Sequence, residues 1–142
     1  LIALSKGLLA ELRAEQSEIR PYDELKSIQE IFAAIGVDIG FQGQLPDNDH
    51  QACLFVDVIR EGSTNAVRHG FATKINIEAE SIENTYYLTI NNNGYTTKEA
   101  ITPGNGIGLM KKKVDAQGGN LDIIHYPLFT LSIVLPGGDQ YV

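Results

Sequence analysis

The chain has 142 residues, 43% of them hydrophobic and 20% charged, which is ordinary for one globular domain able to bury its own core. A formal net charge of −7 excludes nucleic-acid binders that work through a basic face. No apolar run approaches the roughly 18 residues a membrane helix needs, and a single cysteine, Cys53, excludes an intrachain disulfide and agrees with a reducing cytoplasm.

In chain order, residues 3 to 19 read as an amphipathic helix, with Leu4, Leu8, Leu12 and Ile19 among its apolar positions. Pro21 breaks it and can start a second helix over residues 22 to 35, whose apolar face is Leu25, Ile28, Ile31, Phe32 and Ile35. Gly36 is the expected C-cap. Val37 to Gln42 alternates like a strand, and a turn follows at Leu45, Pro46 and Asp47. Asp47 or Asp49 is positioned to cap the next helix.

That helix, read FVDVIREGSTNAVRHG from Phe55 to Gly70, carries Glu61, Asn65 and His69 at spacing four, with Arg68 beside His69. Such spacing stacks an acid, an amide and a base on one helix face. Val56, Ile59, Ser63, Ala66 and Val67 fall on another face and predict the core side. An amide can hold a hydrated magnesium ion, and Arg and His can meet phosphate. Taken alone, a solvated helix face explains the pattern equally well.

Lys74 to Ala79 and Tyr86 to Asn91 alternate as strands, joined by a polar turn near Glu80 to Asn84. A glycine-rich stretch from Asn91 to Gly119 comes next, with Gly94, Gly104, Gly106, Gly108, Gly118 and Gly119. Glycines let a backbone approach phosphate closely. After Gly106 the spacing of Ile107, Met110 and Val114 predicts a helix. A glycine loop feeding a helix N-terminus suits an anion, because N–H groups and the helix dipole face it. Lys111, Lys112 and Lys113 splay around this helix and read as solvated surface. Asn120 to His125 and Phe129 to Leu135 predict a last strand pair around Pro127. About five strands and three or four helices, segregated rather than alternating, predict an α+β fold with a mixed sheet and helices on one face. Cys53 lies in an apolar run and reads as a packed small hydrophobe. The chain begins at Leu1 rather than Met, and a piece of a longer protein is expected.

The segments IREGSTNAVRHG, NNNG and GNGIGLMKKKV, in that order, resemble the N-box and the two G-boxes of the GHKL ATPase superfamily. Within it they look like the ATP-binding domain of bacterial two-component sensor histidine kinases, over roughly residues 21 to 136. GGNLDI and FTLSIVLP look like that domain's last hairpin. The resemblance implies a two-layer α/β sandwich that binds ATP and Mg2+. Asn65 would coordinate magnesium, and Glu61 would organise the metal or polarise the attacking group. Arg68 and His69 would lie near the phosphates, and Gly94 would let the adenine approach the sheet. The lid segment Gly104, Asn105, Gly106, Ile107, Gly108 and Leu109 would meet the triphosphate, its glycines through backbone N–H groups.

The sequence departs from the family's pattern at several points. Asn92 stands where the family has an aspartate that accepts from the adenine amino group. An Asn carbonyl can accept that bond too, so adenine rather than guanine is the expected base, with about 1 kcal/mol lost. Pro127 stands in place of a Thr, Asn105 in place of a His, and Leu109 in place of a Gly. Residues 1 to 20 are expected to be a tail from a dimerisation region, and residues 21 to 142 the ATP-binding catalytic domain.

None of the three histidines, His50, His69 and His125, lies in the first helix. The implied phosphoacceptor histidine therefore belongs to a dimerisation domain absent from this chain, which should not autophosphorylate alone. The implied partners are that domain, a response regulator, and a second copy in a full-length dimer. The expected place is the cytoplasm, with a membrane anchor elsewhere in the protein. Alternatives are an anti-sigma-factor-type serine kinase and a degenerate nucleotide-binding scaffold.

Overall fold

The computed structural model describes residues 21–95, 106–124 and 129–137. The expected helix over residues 3 to 19, and Gly104, Asn105, His125 and Pro127, lie outside the described residues. The elements run α1 (Pro21–Ala33), β1 (Asp38–Gly43), α2 (Asp49–Gly70), β2 (Lys74–Ile82), β3 (Thr85–Asn92), α3 (Gly106–Ala116), β4 (Asn120–Ile124) and β5 (Thr130–Pro136).

The five strands form one sheet in the order β1-β2-β3-β5-β4. β1 pairs parallel with β2, and every other pairing is antiparallel. A parallel pair needs a crossover, and α2, 22 residues long, supplies it. β2 and β3 form a hairpin whose turn residues Glu83 and Asn84 both have positive φ, 48° and 62°. That is the turn whose twist matches the flanking strands. The hairpin is longer than the alternation predicts, because Glu80 to Ile82 remain in β2.

Each strand alternates buried and exposed residues, as a sheet covered on one face requires. The inner face presents Ile75, Ile77, Leu88, Ile90, Leu131, Ile133 and Leu135. Helix α2 lays Phe55, Val56, Ile59, Ser63 and Ala66 against it. Ile107, Met110 and Val114 of α3 close the same core, at the spacing the sequence predicts. This is the expected α+β sandwich with a mixed sheet.

Local signals differ in three places. The N-cap of α2 is Asn48, not Asp47 or Asp49: its backbone is extended and its side chain accepts from Gln51 N–H. Helix α1 buries Leu25 and Ile28, but Ile31 and Ile35, assigned to the same apolar face, are 63% and 64% exposed. Gly36 does cap that helix, with φ +83° and Val37 N–H donating to Phe32 O. Cys53 is only partly buried, in a cleft of about 450 Å³ between α2 and α3 with His50, Asp57 and Lys113. Burial, then the carboxylates of Glu24, Asp57 and Asp49, push its thiol pKa up. It is therefore not an activated nucleophile.

Candidate functional site

Three pieces of backbone meet at one end of the sandwich: the last turns of α2, the end of β3, and the first turn of α3. The period of α2 decides which side chains they share. Ser63 and Ala66 are buried on the core side. Glu61 and Asn65, one turn apart, are half-buried at the rim of that layer. Arg68 and His69 are exposed in the last turn. The structure thus brings Glu61 and Asn65 to the edge of the helical layer and leaves Arg68 and His69 facing water.

Helix α2 stops where Phe71 turns left-handed, with φ 55° and ψ 36°, and its N–H returns to Ala66 O and Val67 O. Immediately before it, the backbone of Gly70 crosses the chain leaving β3. Tyr95 N–H donates to Gly70 O at 2.8 Å. A Cβ on Gly94 would stand 2.6 Å from Gly70 O, and a Cβ on Gly70 would stand 2.8 Å from Tyr95 O. Neither position tolerates a side chain without a shift, so both glycines serve close approach. The sequence singles out Gly94 for the approach of a ligand; the close approach seen here is instead to the backbone of Gly70, which the sequence does not predict. Nothing in a lone helix-terminal glycine says what crosses it.

Asn92, Asn93 and Gly94 have separate tasks. Asn93 Oδ1 accepts from Thr73 N–H and Lys74 N–H at 2.9 and 3.0 Å, and its Nδ2 donates to Thr73 Oγ1. It thereby ties the end of β3 to the start of β2, a role sequence reading missed. Asn92 Oδ1 accepts from Gly94 N–H at 2.8 Å. This short ring is the local competition with the strand ladder that asparagine favours, and it turns the chain toward Gly70.

Gly106 opens α3 directly beside Glu61. A Cβ there would overlap the Glu61 carboxylate where it now lies, so a side chain at 106 would make that flexible acid swing aside. A carboxylate beside a helix N-terminus is favourable, since the dipole there is positive. Of the residues that follow Gly106, Ile107 is a core side chain, a Cβ on Gly108 would meet open space, and Leu109 is 53% exposed.

Three buried polar atoms have no partner among the described residues: Gln51 Oε1, Ser63 Oγ and Asn65 Nδ2. An orphaned buried amide calls for an explanation. A carboxamide is nearly symmetric in shape, so half a turn brings Oδ1 of Asn65 to the same point, as a neutral oxygen ligand for a hard cation. No group of three His, Cys, Asp or Glu side chains able to hold a metal occurs among the described residues. A magnesium ion at Asn65 would then draw its other ligands from water and phosphate oxygens, which is its usual preference. The residues present fit a metal-bound phosphate: an oxygen donor, a nearby acid, and a helix N-terminus.

No family model matches the chain. It is 29% identical over 117 residues to the nitrate/nitrite sensor protein NarX of Escherichia coli K12, covering 79% of this chain and 19% of that protein. The chain therefore spans about a fifth of the length of the curated relatives it matches. Among solved structures, a blue-light activated histidine kinase of Erythrobacter litoralis is similar with TM-score 0.67 and 17% identity, over 82% of this chain and 45% of that one. The ATP-binding domain of PrrB from Mycobacterium tuberculosis matches with TM-score 0.60 and 21% identity, over 82% and 93% of the two chains. The catalytic domain of histidine kinase ThkA gives 0.61, 18% identity, and 82% and 88% coverage. The helical layer, the mixed sheet and the order of the elements place this chain in the fold of the ATP-binding catalytic domains of histidine kinases.

Proposed function

We propose that this chain is the catalytic domain of a sensor histidine kinase. It binds magnesium–ATP and presents the γ-phosphoryl group to a histidine on a dimerisation domain outside this chain. The observation that carries the reading is the contact of Glu61 with Gly106 at the start of α3, one turn of α2 from the buried, unpartnered amide of Asn65, in a fold shared with histidine-kinase catalytic domains. Residues 21 to 142 form this domain in the proposal, and residues 1 to 20 lead into it from the dimerisation region. A response regulator takes the phosphoryl group onward, and the full-length protein works as a dimer. No described helix is long and apolar enough to cross a membrane.

The chain's own groups divide the work. Asn65 supplies an oxygen to the metal, and Glu61 holds that ligand set and the start of α3 in register. Arg68 and His69, exposed at the mouth, meet the outer phosphate oxygens by charge and hydrogen bonding. Asn92 and Gly94 line the end of the sheet where the base enters. Magnesium, when bound, neutralises charge on the transferring phosphoryl group. The protein's share of catalysis is then positioning and preorganised dipoles.

Calorimetry with ATP and magnesium on this chain and on Asn65→Ala tests the proposal. Micromolar to submillimolar binding that weakens at least tenfold in the variant is expected, since a metal ligand is lost. Absence of ATP binding by the unsubstituted chain would overturn it and leave a scaffold without nucleotide chemistry.

A further inference from the structure

The base-reading end of the site is built around an amide whose oxygen is already committed. Leu88, Ile90 and Asn92 alternate onto the inner face of β3. The first two are core, and Asn92, 4% exposed, is the one strand residue among the described buried polar side chains. A buried polar group on an apolar face is the informative kind. Its Oδ1 accepts from Gly94 N–H at 2.8 Å. A backbone N–H can only donate, so this bond fixes the amide: the oxygen faces Gly94, and Nδ2, with two protons, faces away from it.

We infer that Asn92, whose oxygen is taken by Gly94 N–H and so does not accept from adenine as the sequence led us to expect, makes this site prefer 6-oxo purine nucleotides, those of hypoxanthine and guanine, over adenine nucleotides. The inference rests on the reading above, in which a purine nucleotide binds with its base at Asn92. Adenine carries an amino group at position 6, which donates. Facing Nδ2, it sets donor against donor, so no hydrogen bond forms between them. Hypoxanthine and guanine carry a carbonyl there, which accepts from Nδ2. An aspartate at the same position has acceptors on both sides: one oxygen takes the Gly94 N–H and the other takes the adenine amino group. Asparagine keeps the first bond and reverses the second. ATP still binds through its triphosphate; what changes is the rank order of the bases. One neutral hydrogen bond gained, against one pair left unmade, sets the ratio at about tenfold.

The test is calorimetry of ATP, inosine triphosphate and GTP, each with magnesium, on this chain and on Asn92→Asp. Inosine triphosphate differs from ATP only around the 6-position, so stacking and triphosphate contacts are held constant. Expected are inosine triphosphate and GTP binding about tenfold more tightly than ATP, with the order reversed in Asn92→Asp. The variant keeps an acceptor for Gly94 N–H, and the comparison on the unsubstituted chain stands without it. ATP binding as tightly as inosine triphosphate, or more tightly, would overturn the inference and leave the nucleotide-binding proposal intact. Binding of none of the three would overturn both.

Discussion

Glu61 and Gly106 belong to different helices and share one small volume. The acid is legible in the sequence through its spacing from Asn65, because a helix repeats its faces on its own. Its neighbour is not, since the contact with Gly106 depends on how two helices dock. The coupling is measurable. Gly106→Ala should destabilise the domain by about 0.5–1 kcal/mol, the scale of displacing one side chain from its rotamer, because only the carboxylate at the end of Glu61 has to give way. In a Glu61→Ala background the overlap is gone, and most of that cost should vanish. A double-mutant cycle by denaturant unfolding reads the coupling directly. Equal costs in both backgrounds would show that the carboxylate does not sit on Gly106 in solution. Asn92 teaches a related lesson: sequence shows that an amide replaces an acid, but only the bond to Gly94 shows which end of that amide is left to a ligand.

Periodicity over-reads short helices. In α1 the spacing of Leu25, Ile28, Ile31, Phe32 and Ile35 is helical and apolar throughout, yet the helix covers only the β1 edge of the sheet and one side of α2. Leu25 and Ile28 fill that contact, Phe32 is partly covered, and Ile31 and Ile35 point to water. Ile28→Ala should therefore cost about 2–4 kcal/mol, a buried large-to-small change. Ile31→Ala should stay within about 0.5 kcal/mol. Urea unfolding of the two variants distinguishes them, and similar losses for both would place α1 in a different rotation. Helix α3 shows the opposite case. Ile107, Met110 and Val114 follow the same rule and are all buried, because α3 lies across the sheet between α2 and β4.

At the scale of the molecule, the proposed nucleotide site draws on α2, the end of β3 and the start of α3, so ligand binding should stabilise the whole domain rather than one loop. Magnesium–ATP at a hundredfold excess over its dissociation constant should add about 2.7 kcal/mol to the unfolding free energy by mass action alone. A thermal-shift titration shows this as a rise in melting temperature that Asn65→Ala largely loses. A rise of the same size in the variant would mean that ATP stabilises the fold from somewhere other than Asn65.

The sequence by itself determined the elements and their order. Alternation and helical spacing are local properties, and a chain of this composition can bury an alternating sheet only by covering one face with helices. It also put Glu61 and Asn65 one turn apart on α2, because spacing four is written along the chain. The tertiary structure alone decided the rest. Asn48 became the cap, since the path from β1 set which residue is extended at the start of α2. Gly70 became the partner of Gly94, and Gly106 the neighbour of the Glu61 carboxylate, because these are contacts between segments distant in sequence. The orientation of the Asn92 amide followed from a single N–H that the turn after β3 aims at it. Each of these depends on where a second segment passes, and no local pattern carries that information.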